Sequence, residues 1–309
     1  MKLTRLITAA VVAMALPLTA KAQDVRGPTQ IDTTLRLDRQ GTVDLSLISG
    51  RIRVTGWDRQ EVKISASVER GVLQLDANTS RINLTVDMPE GSRRHNLGDA
   101  RYDVSVPRGT RLILEGVSAN ISATGSEGEI EANSVSGDVE ITGGTREVNV
   151  ESVSGSVRAS QVNGNLRAES VSGDVRIENV SGNVEASSVS GGLRLVGVQS
   201  KDVRTETVSG DVLYAGNIDP NGKYSFESHS GTLRLDIPRG AGAQFSVETF
   251  SGDIDTDFPV TMRPGQTKKR NGRLEFSIGD GRARVSARTF SGRILINSSS
   301  DSTTRRDDE

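Results

Sequence analysis

The stretch Ser170-Val171-Ser172-Gly173-Asp174-Val175-Arg176-Ile177 decides how this chain folds, because it is one of four near copies set eighteen residues apart. The others are Ser134-Val135-Ser136-Gly137-Asp138-Val139, Ser152-Val153-Ser154-Gly155-Ser156-Val157 and Ser188-Val189-Ser190-Gly191-Gly192-Leu193. A fixed period of this length is the signature of a solenoid, whose repeats cannot bury an apolar face alone and stack on their neighbours.

Each eighteen-residue unit divides into two nine-residue halves, since Arg146, Gly164 and Gly182 fall midway between the glycines already quoted and Gly128 nine residues before the first. Two and four residues after each glycine stands Val, Ile, Leu or Ala, with a charged residue usually between, as in Val175-Arg176-Ile177 and Val184-Glu185-Ala186. That is the period of a strand with one buried face. A coil is therefore two strands and two corners. The valine of Ser-Val-Ser reads as a third inward side chain flanked by outward serines, and the glycines read as corner residues with positive φ.

From Gly191 the step widens to 19, 21 and 21 residues at Gly210, Gly231 and Gly252, then to 40 at Gly292. Aromatic residues are absent between Tyr102 and Tyr214 and frequent afterwards. A wider coil needs more side-chain volume to stay close-packed; His229, Phe250 and Phe290, which replace the valine of Ser-Val-Ser, are expected to supply it together with Phe226 and Phe245. Residues 253–281, with Pro259, Pro264, Lys268-Lys269-Arg270 and Asn271-Gly272, read as an insertion containing a hairpin turn. Before the regular coils, segments such as Val43 to Ile48, Ile52 to Val54, Val62 to Val68 and Tyr102 to Val106 alternate as strands, and Gly91 to Asp99 reads as a loop. The expected organisation is a signal peptide over 1–22, a β cap over 23–118 that merges into the solenoid, solenoid repeats over 119–297, and a polar disordered tail over 298–309.

The start of the chain indicates export. Lys2 and Arg5 precede an apolar run from Leu6 to Leu18, and Ala20-Lys21-Ala22 supplies small residues for cleavage before Gln23. The run is shorter than the roughly 20 residues of a spanning helix, so the mature chain is not expected to span a membrane. It has no cysteine, hence no disulfide, and its strength must come from packing and ladder hydrogen bonds. Removing residues 1–22 leaves 35 basic against 40 acidic residues, a net charge of −5. That balance argues against a nucleic-acid partner.

Several segments carry a family resemblance: Ile48-Ser49-Gly50-Arg51-Ile52-Arg53-Val54-Thr55-Gly56-Trp57-Asp58, Tyr102-Asp103-Val104-Ser105-Val106-Pro107-Arg108-Gly109, the serial Ser-Val-Ser-Gly-Asp units, and Ile278-Gly279-Asp280-Gly281 leading to Thr289-Phe290-Ser291-Gly292. Over nearly the whole mature chain the sequence resembles a bacterial adhesin-like family catalogued as a domain of unknown function. The resemblance implies an all-β, single-domain parallel β-solenoid of either hand, in a secreted or envelope protein. It carries over no catalytic or binding residue, because the shared motif is structural glycine and serine.

Asp138, Asp174, Asp211 and Asp253 each follow a coil glycine and invite a calcium reading. Asp138 and Asp174 are two coils apart, about 9.6 Å at ~4.8 Å per coil, whereas calcium needs oxygens within ~2.6 Å. Turn chemistry is the better reading. Arg158, Arg176 and Arg194 occupy one outward position in three successive coils, with Glu151, Glu169 and Glu206 on the other face. Such a ladder can grip an acidic glycan or another envelope anion bidentately; the plainer alternative is a solvated face partnered by Glu178. The serine rows are a weaker candidate for sugar or ordered water. With only His95 and His229 and no cysteine, no triad or metal spacing exists, and no cofactor is implied. The function expected is that of a non-enzymatic, structural or adhesin-like module binding carbohydrate or another envelope component, located in the periplasm, on the cell surface or outside the cell. The alternative is a β-helical polysaccharide lyase or hydrolase, with its cleft built from the insertion.

Overall fold

Alternation of apolar and polar residues makes every regular element among the described residues a strand. The structure, a computed structural model, describes residues 30–87, 99–259 and 272–299. The proposed signal peptide, the Gly91 to Gly98 part of the expected loop with His95, Pro264, the Lys268-Lys269-Arg270 cluster with Asn271, and residues 300–309 lie outside the described residues.

The regular stack consists of strand pairs, one pair per coil: β8 (Ile130–Ser134) with β9 (Val139–Gly143), β10 (Glu147–Ser152) with β11 (Val157–Ser160), and β12 (Asn165–Ser170) with β13 (Val175–Glu178). It continues through β14 (Val184–Ser188) and β15 (Leu193–Val198), β16 (Asp202–Ser209) and β17 (Val212–Gly216), and β18 (Lys223–Ser230) and β19 (Leu233–Pro238). Even-numbered strands pair in parallel along one face, as in Val148↔Leu166 and Leu166↔Val184. Odd-numbered strands pair along the other, as in Val157↔Val175 and Val175↔Leu193. The sequence period is thus the stacking period, and the fold is the expected parallel β-solenoid.

Both ends depart from simple stacking. At the start, β1 (Gln30–Arg36), β3 (Glu61–Val68) and β4 (Val72–Ala77) form the irregular cap, while β2 (Thr42–Trp57), β5 (Arg81–Asp87), β6 (Ala100–Pro107) and β7 (Arg111–Ser126) are already coils. β2 bends through both faces and lies between β7 on one side and β5 with β6 on the other. The cap strands then run antiparallel on the outermost coil, β3 on β6, β1 on β3 and β4 on β5. At the far end, β20 (Ala243–Ser251) and β21 (Ile254–Thr256) are followed by β22 (Arg273–Ile278), β23 (Ala283–Ser291) and β24 (Ile294–Ser299). β23 inserts between β18 and β20, β24 inserts between β19 and β21, and β22 closes the edge antiparallel to β20. Antiparallel covers at both ends blunt edges that would otherwise template aggregation. β24 extends to Ser299, where the sequence suggested a tail from residue 298.

The core is a two-layer column. Val148 and Val150 face Val157 and Ala159 in one coil, all fully buried, and Val162 closes the corner. In the wider coils Tyr214, Tyr224, Phe226 and Phe245 take over, with the Tyr214 ring 5.1 Å from Phe226 and 6.0 Å from Tyr224. Rings do fill the wide coils, but not all of those expected to.

The corner after the even-numbered strands corrects the sequence reading. Val135, Val153, Val171 and Val189 point to solvent, with exposures of 43–46%, while Ser134, Ser152, Ser170 and Ser188 before them are buried at 4–5%. Each buried serine is satisfied twice. Ser170 Oγ accepts from Gly173 N–H at 2.9 Å and donates to Gly155 O, one coil back, at 3.1 Å; Ser152 does the same with Gly155 and Gly137. Two backbone hydrogen bonds remove the desolvation cost that would otherwise keep a hydroxyl out, so serine closes the turn and valine is turned outward. His229, Phe250 and Phe290 follow the valines to the surface; they are not core residues.

The glycines of this corner also have a different reason. Gly137, Gly155, Gly173 and Gly191 are not in the positive-φ region, yet a Cβ on Gly173 would overlap the carbonyl of Gly155, and one on Gly191 that of Gly173. Adjacent coils touch there through bare backbone. In these coils positive φ belongs to the opposite corner, on Gly143, Gln161, Asn179 and Gly197 at +108°, +55°, +56° and +67°, whereas in the wider coils Gly231 and Gly252 of this corner do take it, at +151° and +153°.

Candidate functional site

On the odd-strand face, strand alternation turns Arg158, Arg176 and Arg194 outward, and the parallel register sets them side by side: Arg158↔Arg176↔Arg194. All three are exposed. None of the three has an ion-pair partner among the described residues. On the opposite face Arg167 bonds Glu169 at 2.5 Å and Glu185 at 2.8 Å, and Arg204 bonds Glu206 at 3.7 Å. Among the described residues no carboxylate lies within the 4.0 Å of an ion pair from any guanidinium of the ladder, and Glu178, two residues from Arg176, does not close one. Leu213 ends the ladder on one side and Glu140 on the other. Beside it a shallow hollow of about 430 Å³ is lined by Arg176, Arg194, Arg234, Asp174 and Asp211.

Three of the four aspartates that suggested calcium serve the backbone. Asp138 Oδ1 accepts from Ser156 N–H at 2.8 Å, Asp174 Oδ1 from Gly192 N–H at 2.9 Å, and Asp211 Oδ1 from Thr232 N–H at 2.7 Å, each reaching one coil onward. A carboxylate reaching across the corner needs the facing position free of another, which accounts for Ser156 and Gly192 in the coils between. Among the described residues no group of three or more His, Cys, Asp or Glu is placed to hold a metal ion. At the cap, the Arg108 guanidinium donates to Asp58 at 2.7 Å and holds that carboxyl below its usual range. A general acid needs the reverse shift.

The outward valines form a second surface that hydropathy reading missed. Val117, Val135, Val153, Val171, Val189 and Val208 line up along one corner, each 43–48% exposed, and His229, Phe290 and Phe250 continue the column. The three rings stack at 4.9 and 4.8 Å between centroids, within 5° of parallel. The sequence does hold a signal for this inversion: the preceding position stays Ser or Thr in Ser134 to Thr289, whereas the valine position drifts to His and Phe, as a surface tolerates.

Comparison with known proteins places this geometry. A family model described as Toastrack DUF4097 matches residues 42–297. A candidate adhesin from Parabacteroides distasonis is similar at 9% identity and a TM-score of 0.50, over 87% of this chain and 97% of that one. A candidate adhesin from Bacteroides fragilis is 14% identical with a TM-score of 0.42, covering 87% of this chain and 100% of that one. A lipid-binding candidate from P. distasonis gives 12% and 0.44 over 86% and 96%. No curated protein matches the chain. At 9% identity the likeness to the first of these is one of fold alone.

Proposed function

The chain belongs to the Toastrack DUF4097 family, and from that premise we propose that it is an exported, non-enzymatic, adhesin-like solenoid that holds an acidic envelope glycan along Arg158, Arg176 and Arg194. One observation carries the reading: three guanidinium groups stand in register on one strand face without an ion-pair partner among the described residues, while Arg167 and Arg204 of the other face are paired. Guanidinium binds carboxylate and phosphate oxygens bidentately, and rungs about 4.8 Å apart let an extended polyanion engage several at once. Export is read from the apolar run Leu6 to Leu18 before Ala20-Lys21-Ala22. The P. distasonis protein that shares the fold is named a candidate adhesin, which agrees with this reading.

The test is retention of the purified protein by soluble polygalacturonate, a carboxylated glycan, against neutral dextran. Binding to the acidic polymer only, falling steeply with salt, is expected. Combined Arg158→Gln, Arg176→Gln and Arg194→Gln should weaken it at least tenfold without moving the melting temperature. Equal retention of the triple variant, or equal binding to dextran, overturns the proposal.

A further inference from the structure

We infer that the apolar corner column is a docking surface for a protein partner that lays a cationic amphipathic helix along the stack. The corner offers no backbone for strand addition, because its N–H groups are spent between coils: Val153 donates to Ser134 O at 3.1 Å, Ser154 to Val135 O at 2.9 Å and Ser172 to Val153 O at 2.9 Å. Recognition must go through side chains. Sugars find little along the valine rungs, and of the three stacked rings Phe290 is covered on both faces, so that only Phe250 at the end of the stack keeps an open one. A helix fits the spacing. Side chains on one helix face recur every turn, ~5.4 Å, against ~4.8 Å per coil, so three to four turns drift by only about 2 Å from the rungs.

Charge selects the kind of helix. Two residues before the column stand Glu115, Glu151, Glu169, Glu206 and Glu227, three residues after it Asp138, Asp174 and Asp211, and neither position holds Lys or Arg between the Val117 and His229 rungs. Glu169, Glu206 and Glu227 have arginine partners in Arg167, Arg204 and Arg288, and the arginine ladder lies beyond the aspartates. Among the described residues the glutamates of this row left without an ion pair are Glu115, which accepts from Ser46 Oγ at 3.2 Å, and Glu151. Both glutamates border a hollow of about 400 Å³ whose lining includes Leu47, Ile48, Val86 and Val117 and, among the described residues, no basic residue. A large apolar side chain seated there puts a lysine or arginine one turn away within reach of either glutamate. A second copy of this chain suits the surface less well, because antiparallel columns would bring glutamates against glutamates.

The inference is independent of the arginine ladder, and its test uses a different probe. An 18-residue leucine–lysine peptide with helical amphipathic order, labelled with a fluorophore, is titrated with the purified protein and followed by anisotropy. It should bind, while the same peptide with every lysine replaced by glutamate should not, and a scrambled leucine–lysine peptide should bind at least tenfold more weakly. Combined Val135→Ser, Val153→Ser and Val171→Ser should lose at least tenfold in affinity at an unchanged melting temperature. Combined Glu115→Gln and Glu151→Gln should lose several-fold and flatten the salt dependence. Equal binding of the scrambled peptide, or undiminished affinity in both variants, overturns the inference; so does a dimer in light scattering that the triple serine variant dissolves, which would give the column to a second copy.

Discussion

Ser170 and Val171 are neighbours with opposite duties. The hydroxyl joins its own turn to the coil below through two backbone partners, whereas the valine touches solvent. Ser170→Ala leaves Gly173 N–H and Gly155 O without their buried partner, a cost of about 1–3 kcal/mol. Val171→Ser removes exposed methyl groups and should change stability by roughly 0.5 kcal/mol or less. Urea midpoints of the two variants check this, and the reverse ranking would return the valine to the core. Hydropathy alone assigns these residues the wrong way round because it counts the serine's desolvation and not the two hydrogen bonds that cancel it. The glycine of the same motif is legible as indispensable; its cause is not, since only the stacking of the coils brings a carbonyl to where a Cβ would be.

Each coil is built from two strands whose sequences look interchangeable. Their corners are not: seven residues after Gly155 stands Val162, buried, and seven after Gly164 stands Val171, exposed. One corner is closed by a valine under a positive-φ residue, the other by a serine under a close backbone contact. Deleting Gly155 to Ser172, a whole coil, joins Ser154 to Gly173 and brings each corner onto its own kind. Deleting Gly155 to Asn163 sets buried valines beneath serine turns in everything downstream. Because interfaces between neighbouring repeats dominate solenoid stability, the first variant should melt cooperatively as a β protein and the second should melt far lower or aggregate. Thermal melts followed by circular dichroism decide; equal melting temperatures would make the two faces equivalent. The eighteen-residue period makes the strands and their parallel register readable in sequence, and the arginine ladder with them. The valine column needs the corner geometry as well.

Across the molecule, packing grades from small aliphatic side chains to rings, and all three tyrosines, Tyr102, Tyr214 and Tyr224, are buried. Burial pushes each phenol above its ordinary value of 10.0. The folded state therefore keeps protons that the unfolded state sheds, so stability is intact below about pH 10 and declines as pH rises through the folded values. The decline is roughly 1.4 kcal/mol per pH unit for each tyrosine that stays protonated. Urea midpoints should hold between pH 7 and 9 and fall by about pH 11, with tyrosinate absorbance at 295 nm appearing only on unfolding; tyrosinate in the native protein near pH 10 would contradict the burial. The order of the end coils was beyond sequence reading. β2 meets β7 across sixty-nine residues, Thr42 against Arg111, and β18 meets β23 across sixty-one, Lys223 against Arg284, distances at which no period speaks. That order matters for a molecule under tension. A pull on the C terminus acts on β24, flanked by β19 and β21, so several ladder bonds on both sides must slide at once instead of opening singly from a free edge. A pull on the N terminus peels β1 from β3 and then reaches β2, clamped in the same way. The stack bears load in shear at either end, like a belt threaded back through its own loop.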